Sequence, residues 1–255
     1  MTVRLEDRGA ILVVHNRAEK RGAISPELYA GIITATQRAQ DPKVRCIILT
    51  GGDFFCAGGD LNVLKTRTAL PFEERCQKIE LLHDAIRAMR ASHVPLIAAV
   101  EGGAAGAGLS IALACDMIVA AEGASFTAAY VKAGLTPDGG LTHALGHLVP
   151  HQLSMEMCLL GRSIAAERFA ELGVVSQICR PGQAFETALQ LAEPLLSGPP
   201  ETQRRIRRLV SQASQENFEA QLALEATAMA KAQGSSEAAE GISAFFDKRQ
   251  PEFKS

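Results

Sequence analysis

Two stretches of this chain follow one plan, and that plan limits what the chain can fold into. Val44–Thr50 is an apolar, strand-like run that ends in Gly51-Gly52, and Pro95–Val100 is a second that ends in Gly102-Gly103. Between them, over about residues 73–91, Ile79, Leu82, Ile86 and Met89 recur on one face at helical spacing. A strand, a crossover helix and a second strand make the two strands parallel neighbours in one sheet. Ile11–Val14 reads as another short buried strand. Ser25-Pro26-Glu27 is a helix start, with an N-cap, a proline at the first helical position and an acid in the first turn. That helix should run to about Gln40, where Asp41-Pro42 ends it. A helix over about 107–114 and a strand at Met117–Ala120 continue the alternation, so the class is α/β. From about Gln183 the pattern is helical, and Gly198-Pro199-Pro200 is its clearest break. The expected organisation is a core over 1–195 followed by a helical region over 196–255.

The 255 residues suffice for one large domain, or one domain with a helical appendage. With 47% hydrophobic and 21% charged residues the chain has the balance of a folded globular protein. A formal net charge of −2 supplies no global field to recruit nucleic acid or an anionic membrane. Met1–Gly9 carries charges and no apolar signal-peptide core, and no apolar run approaches the ~20 residues that span a bilayer. A cytoplasmic location is expected. The six cysteines form no C-x-x-C pair and mostly sit in apolar surroundings, which predicts reduced, buried thiols.

Chemistry concentrates in the glycine turns. Phe55-Cys56-Ala57-Gly58-Gly59-Asp60-Leu61 and Glu101-Gly102-Gly103-Ala104-Ala105-Gly106-Ala107-Gly108 each follow a strand, and small residues let backbone approach a ligand closely. The second turn opens a helix, whose first N–H groups lack intrahelical acceptors. Two such donors aimed at one oxygen form an oxyanion hole, which suits a thioester carbonyl becoming an enolate. Each turn alone is equally consistent with tight packing of a helix on a sheet. Neither is a phosphate loop, because no G-x-x-x-x-G-K-[ST] occurs.

Taken together, F-C-A-G-G-D-L, then G-G-A-A-G-A-G-L-S-I-A-L-A-C-D ending at Asp116, then Gly134–Gly140, resemble the three signatures of the crotonase (enoyl-CoA hydratase/isomerase) superfamily. Asn16–Ala23 is similar to its N-terminal CoA-contacting segment, and Glu240–Arg249 to its C-terminal signature. The resemblance spans nearly the whole chain. It implies a spiral of ββα turns with a C-terminal helical trimerisation region, assembled as a homotrimer or hexamer. It implies oxyanion donors at the N–H groups of Gly59 and Ala107. CoA would be held by Lys20, Arg21, Ala57, Gly59, Asp60 and Leu61, and by Phe245 and Lys248 of a neighbouring subunit. No cofactor is implied, because coenzyme A is part of the substrate.

Where hydratases of the family carry two water-activating glutamates, this chain has Ser110 and Tyr130. Neither hydroxyl replaces a carboxylate as a base near neutral pH. Asp138 is the carboxylate of the third motif turn, at the position where some isomerases of the family place a single acid/base. In an apolar acyl pocket, burial disfavours a carboxylate's charge and makes it a stronger base. The alternative role for Asp138 is the N-cap of the helix that follows. The stretch from Phe126 to Gly140 most resembles bacterial members of phenylacetate breakdown that form or act on oxepin-CoA. The resemblance thus implies double-bond or ring isomerisation of an acyl-CoA. A hydratase or ring-opening hydrolase using Asp138 and Tyr130 is the second reading, and a non-catalytic acyl-CoA- or RNA-binding scaffold the third. Substrate walls are expected from a loop at about Leu64 to Glu73.

Three other patterns carry less. His143, His147 and His151 are spaced like metal ligands, but Pro150 should end their helix. Arg204, Arg205, Arg207 and Arg208 spread around a helix axis and suggest a solvated or intersubunit face. Cys56 adjoins the first turn, yet no histidine base is placeable beside it.

Overall fold

In the computed structural model, residues 3–17 and 19–253 are described. The strands are β1 (Val3–Asp7), β2 (Ile11–Asn16), β3 (Cys46–Thr50), β4 (Leu96–Val100), β5 (Gly103–Ala105), β6 (Met117–Ala121), β7 (Ser125–Thr127), β8 (Ser163–Ala165) and β9 (Gln177–Cys179). One sheet has the order β1-β2-β3-β4-β6-β9, and a smaller one the order β5-β7-β8. β1 pairs antiparallel with β2. The remaining pairs of the large sheet are parallel, with Val14 opposite Leu49 and Leu49 opposite Ala98.

Every residue of β2, β3 and β4 is buried, as expected for parallel strands covered on both faces. Their side chains alternate between two cores with the period of two that a strand imposes. Leu12, Val14, Ile47, Leu49, Leu96 and Ala98 face the main core. Ile11, Val13, Cys46, Ile48, Ile97 and Ala99 face a second core closed by Ala184, Ala188 and Ala192 of the helix Ala184–Ser197. β4 turns through Gly102 into β5 and then the helix Ala107–Leu113, and β6 turns through Gly123 into β7 and a 3₁₀ turn, the repeat of a spiral of ββα turns.

Ser25 caps the helix Pro26–Arg38, its side chain accepting from Leu28 N–H at 3.4 Å. This helix packs on the crossover helix Phe72–Arg90. Leu82, Ala85, Ile86 and Met89 form the buried stripe of the crossover helix; Ile79, expected with them, is 38% exposed. The spacing is helical throughout, but only the second half of the helix lies against the core. The expected loop at Leu64–Glu73 is instead mostly helix: Leu61–Arg67 is helical and capped by Asp60, whose side chain accepts from Asn62 N–H at 2.9 Å. An Asp before a helical run is an N-cap signal, and it outweighs the polar composition of the segment.

Helices Pro200–Ala213, Phe218–Gln233 and Ser236–Phe246 complete the chain. The arginine cluster at the first of these is not a uniform solvated face. Arg207 donates to Asp116 at 2.8 Å and to the backbone oxygens of Met89, Arg90 and Ser92, closing the C-terminus of the crossover helix. The buried Arg45 reaches the carbonyls of Leu195, Leu196 and Gly198 from the other side of the sheet edge. These contacts join residues more than ninety positions apart, which a local pattern cannot show.

All six cysteines are free; Cys46 and Cys56 are buried, while Cys76 is exposed on the crossover helix. Pro150 separates His147 from His151, which starts a new helix, and the described residues hold no group of metal-binding side chains. No helix among the described residues is long and apolar enough to cross a membrane.

Candidate active site

The two glycine turns lie against each other, held by backbone hydrogen bonds. Phe55 N–H donates to Gly103 O at 3.1 Å and Ala105 N–H to Cys56 O at 2.9 Å. A side chain would break this contact. A Cβ on Gly58, whose φ is +85°, would stand 2.7 Å from Ala105 O and 3.3 Å from Ala107 N. A Cβ on Gly108 would stand 2.3 Å from Cys56 O. The turn leaves Ala107 as the first residue of the helix Ala107–Leu113. Among the described residues the N–H groups of Gly59, which is exposed, and of Ala107, which is buried, have no acceptor. Unpaired backbone donors at buried positions are uncommon and mark places where a ligand can supply the acceptor.

Asp138 stands in the turn that precedes the helix Leu141–Leu148. The alternative capping role is not taken: Gly140 is the N-cap and no side chain caps that helix. The Asp138 carboxylate instead accepts the Tyr130 O–H on Oδ1 at 2.7 Å. Ser110 Oγ, from the middle of the helix Ala107–Leu113, donates to Asp138 O at 2.9 Å and lies 3.2 Å from the Tyr130 hydroxyl. The two positions of the missing glutamates thus converge on Asp138. A Cβ on Gly139, at φ +61°, would meet Ser110 Cβ at 2.9 Å and Leu82 Cδ2 at 3.0 Å, so glycine lets the turn close down on Ser110.

Burial and the Asp138 charge push the Tyr130 phenol far above its ordinary value, so it stays a hydrogen-bond donor and not a base. Tyr29, on the first turn of Pro26–Arg38, is pushed up by burial first and by the same Asp138 charge second. Tyr29 and Tyr130 are the two tyrosines of the chain, and both sense Asp138. The sequence offered no signal for Tyr29, because its helix start explains the local pattern completely. Burial holds the Cys56 thiol up at about 12, which removes it as a thiolate nucleophile near neutral pH.

The other expected contacts are spread wider. The N-terminal segment runs beside the first turn, with Ile24 N–H donating to Gly58 O at 2.8 Å and Ala57 N–H to Arg21 O at 3.0 Å. Arg21 lies over the Phe54 ring at 4.0 Å and lines a cleft of about 960 Å³ with Arg4, Arg8 and Arg17. None of Gly59, Ala107, Tyr130 and Asp138 lines that cleft. The Lys20 side chain lies outside the described residues. Asp60 is the helix cap noted above, and Leu61 is 65% exposed beside it. Phe245 is 79% exposed, and Lys248 is exposed just beyond the end of the last helix.

The profile described as "Enoyl-CoA hydratase/isomerase" matches residues 6–255. The chain belongs to the enoyl-CoA hydratase/isomerase family. It is 33% identical over 250 residues to 1,2-epoxyphenylacetyl-CoA isomerase of Escherichia coli, covering 97% of this chain and 95% of that protein. It is also 33% identical over 248 residues to 2,3-dehydroadipyl-CoA hydratase of Escherichia coli, covering 96% and 94%. The crystal structure of an enoyl-CoA hydratase from Polaromonas sp. JS666 superposes with a TM-score of 0.96 at 38% identity, covering 99% of each chain. The chain is therefore an enzyme of the crotonase fold that acts on CoA thioesters.

Proposed function

We propose that this enzyme isomerises an unsaturated or ring-derived acyl-CoA by moving a proton with Asp138 across an oxyanion-stabilised enolate. The observation that carries the reading is the Asp138 carboxylate, held through Oδ1 by the Tyr130 hydroxyl while Oδ2 keeps no partner among the described residues. The thioester oxygen sits between the N–H groups of Gly59 and Ala107. Asp138 takes a proton from the carbon next to the thioester, and the C–H electron pair passes into a dienolate whose charge rests on that oxygen. Returning the proton at the far carbon re-forms the carbonyl and shifts the double bond. Nothing is gained or lost, so one base suffices. Likeness to the relative named 1,2-epoxyphenylacetyl-CoA isomerase favours a ring-derived acyl group.

CoA is held by the backbone around Lys20, Ala57 and Gly59, with Arg21, Asp60 and Leu61 beside it and Phe245 and Lys248 from a neighbouring copy. Phe218, Phe245 and Phe246, each at least 74% exposed, need cover. The region 196–255 then serves trimerisation. A stable monomer by light scattering at micromolar concentration would contradict that assembly.

Hydration is the second reading, supported by the relative named 2,3-dehydroadipyl-CoA hydratase, with Asp138 and Tyr130 ordering water. Incubation with a 3-enoyl-CoA and with a 2-enoyl-CoA separates the two: isomerisation interconverts them, and hydration turns the second into a 3-hydroxyacyl-CoA. Asp138→Asn keeps the shape and removes the base. Turnover should fall by about 10²–10⁴-fold with CoA affinity nearly unchanged. Near wild-type turnover in that variant, on every acyl-CoA tested, would remove Asp138 from the reaction.

A further inference from the structure

Ser110, Tyr130 and Asp138 form a closed ring of three oxygen–oxygen contacts. They are Tyr130 to Asp138 Oδ1 at 2.7 Å, Ser110 to Asp138 O at 2.9 Å, and Ser110 to Tyr130 at 3.2 Å. With the carboxylate ionised, the ring holds two hydroxyl hydrogens, one on Ser110 and one on Tyr130. Two hydrogens cannot fill three contacts. The unfilled contact should be the longest, and the Ser110–Tyr130 contact is. Tyr130 therefore gives its hydrogen to Oδ1 and Ser110 gives its own to the Asp138 carbonyl.

Ser110 is 2% exposed and emerges from a helix whose seven residues are all buried, so it is a rigid anchor. A Cβ on Gly139 would stand 2.9 Å from the Ser110 Cβ and 3.2 Å from its Oγ, which leaves no room for a side chain at position 139. The anchor fixes the Asp138 backbone from below, and the phenol fixes one carboxylate oxygen from the side.

We propose that Ser110 is a positioning residue: it locks the Asp138 turn through the backbone carbonyl, so that the carboxylate meets the Tyr130 phenol at Oδ1 and Oδ2 alone exchanges protons with substrate. The proposal rests on Asp138 being the acid/base.

The test compares Ser110→Ala, Tyr130→Phe, the double variant and Asp138→Asn on a 3-enoyl-CoA, with kcat and KM measured across pH. Ser110→Ala should lower kcat about tenfold, the size of one lost buried hydrogen bond, with KM little changed. Its kcat–pH profile should be displaced, and the double variant should be no worse than about the poorer single one, since the hydroxyls act as a unit. A purely structural serine would lower the melting temperature and leave the profile in place. A substrate-free readout is available because the chain has two tyrosines and no tryptophan. The tyrosine absorbance spectrum of the substrate-free protein should be shifted from wild type in Asp138→Asn and in Ser110→Ala, with Tyr130→Phe giving the Tyr29 background. If Ser110→Ala keeps the wild-type kcat, pH profile and absorbance spectrum while Asp138→Asn is inactive, the positioning role is wrong and the acid/base assignment stands. If Asp138→Asn is active, the assignment itself falls.

Discussion

Arg207 donates its Nε–H to Asp116 at 2.8 Å across ninety-one positions of sequence. The same guanidinium serves the carbonyls of Met89, Arg90 and Ser92. Asp116 also accepts from Leu96 N–H, at the start of β4, at 2.8 Å. One ion pair thus ties the helical C-terminal region to the strand whose far end carries the second glycine turn.

Replacing Arg207 by methionine keeps much of the side-chain bulk and takes the guanidinium from the carboxylate and three carbonyls, of which Asp116 keeps Leu96 N–H and Met89 O keeps Ser92 N–H. The Arg207 side chain is 8% exposed and that of Asp116 24%, so the loss should be near the lower end for buried pairs, about 3 kcal/mol. Chemical denaturation of Arg207→Met against the parent measures it. A change within about 0.5 kcal/mol, the range of ordinary surface substitutions, would mean that the pair is ornamental.

Two glycines should respond in opposite senses to alanine. Gly108 has no space for a methyl, because Cys56 O would lie 2.3 Å away, so Gly108→Ala must push the two turns apart and abolish turnover even where the protein still folds. Gly146 is exposed inside the helix Leu141–Leu148 and nothing lies within 4 Å of its would-be Cβ. Gly146→Ala should add about 0.5–1 kcal/mol, the helix-propensity gain, with activity intact. Melting temperature and turnover of the two variants, taken together, check the pair of expectations. An active Gly108→Ala would show that the turns do not need their close contact.

His15 gives the fold a pH dependence of defined sign. The residue is 7% exposed, its Nε2 is 2.9 Å from Glu6, and its ring packs by Phe185. Burial lowers its pKa below the ordinary 6.5 and outweighs the opposing pull of Glu6. The unfolded chain therefore binds a proton more readily than the folded one. The stability that the neutral ring supports is present above about pH 6.5 and is lost as pH falls through the lower, folded value. His15→Asn stays neutral and should show a flatter melting temperature between about pH 8 and pH 5.5. Equal slopes for the two proteins would remove His15 as the cause.

Much of the architecture was legible in the sequence because its causes are local. Apolar runs ending in glycine marked β3 and β4, Ser25-Pro26 marked a helix start, and the order of three short motifs carried the family. These depend on residues a few positions apart. The sequence by itself also determined that Ser110 and Tyr130 put neutral hydroxyls, and Asp138 a carboxylate, in or beside the family's motifs. What those groups do to one another was decided only by the tertiary structure. Ser110, Tyr130 and Asp138 come from a buried helix, a short 3₁₀ turn and a glycine loop, and nothing in their spacing shows that their oxygens close a ring. The same holds for Tyr29 beside Asp138, for the Arg207 pin and for the exposure of Ile79. Each depends on which surfaces of distant elements meet, and a hydroxyl's partner is set by where the packed backbone brings an acceptor within about 3 Å.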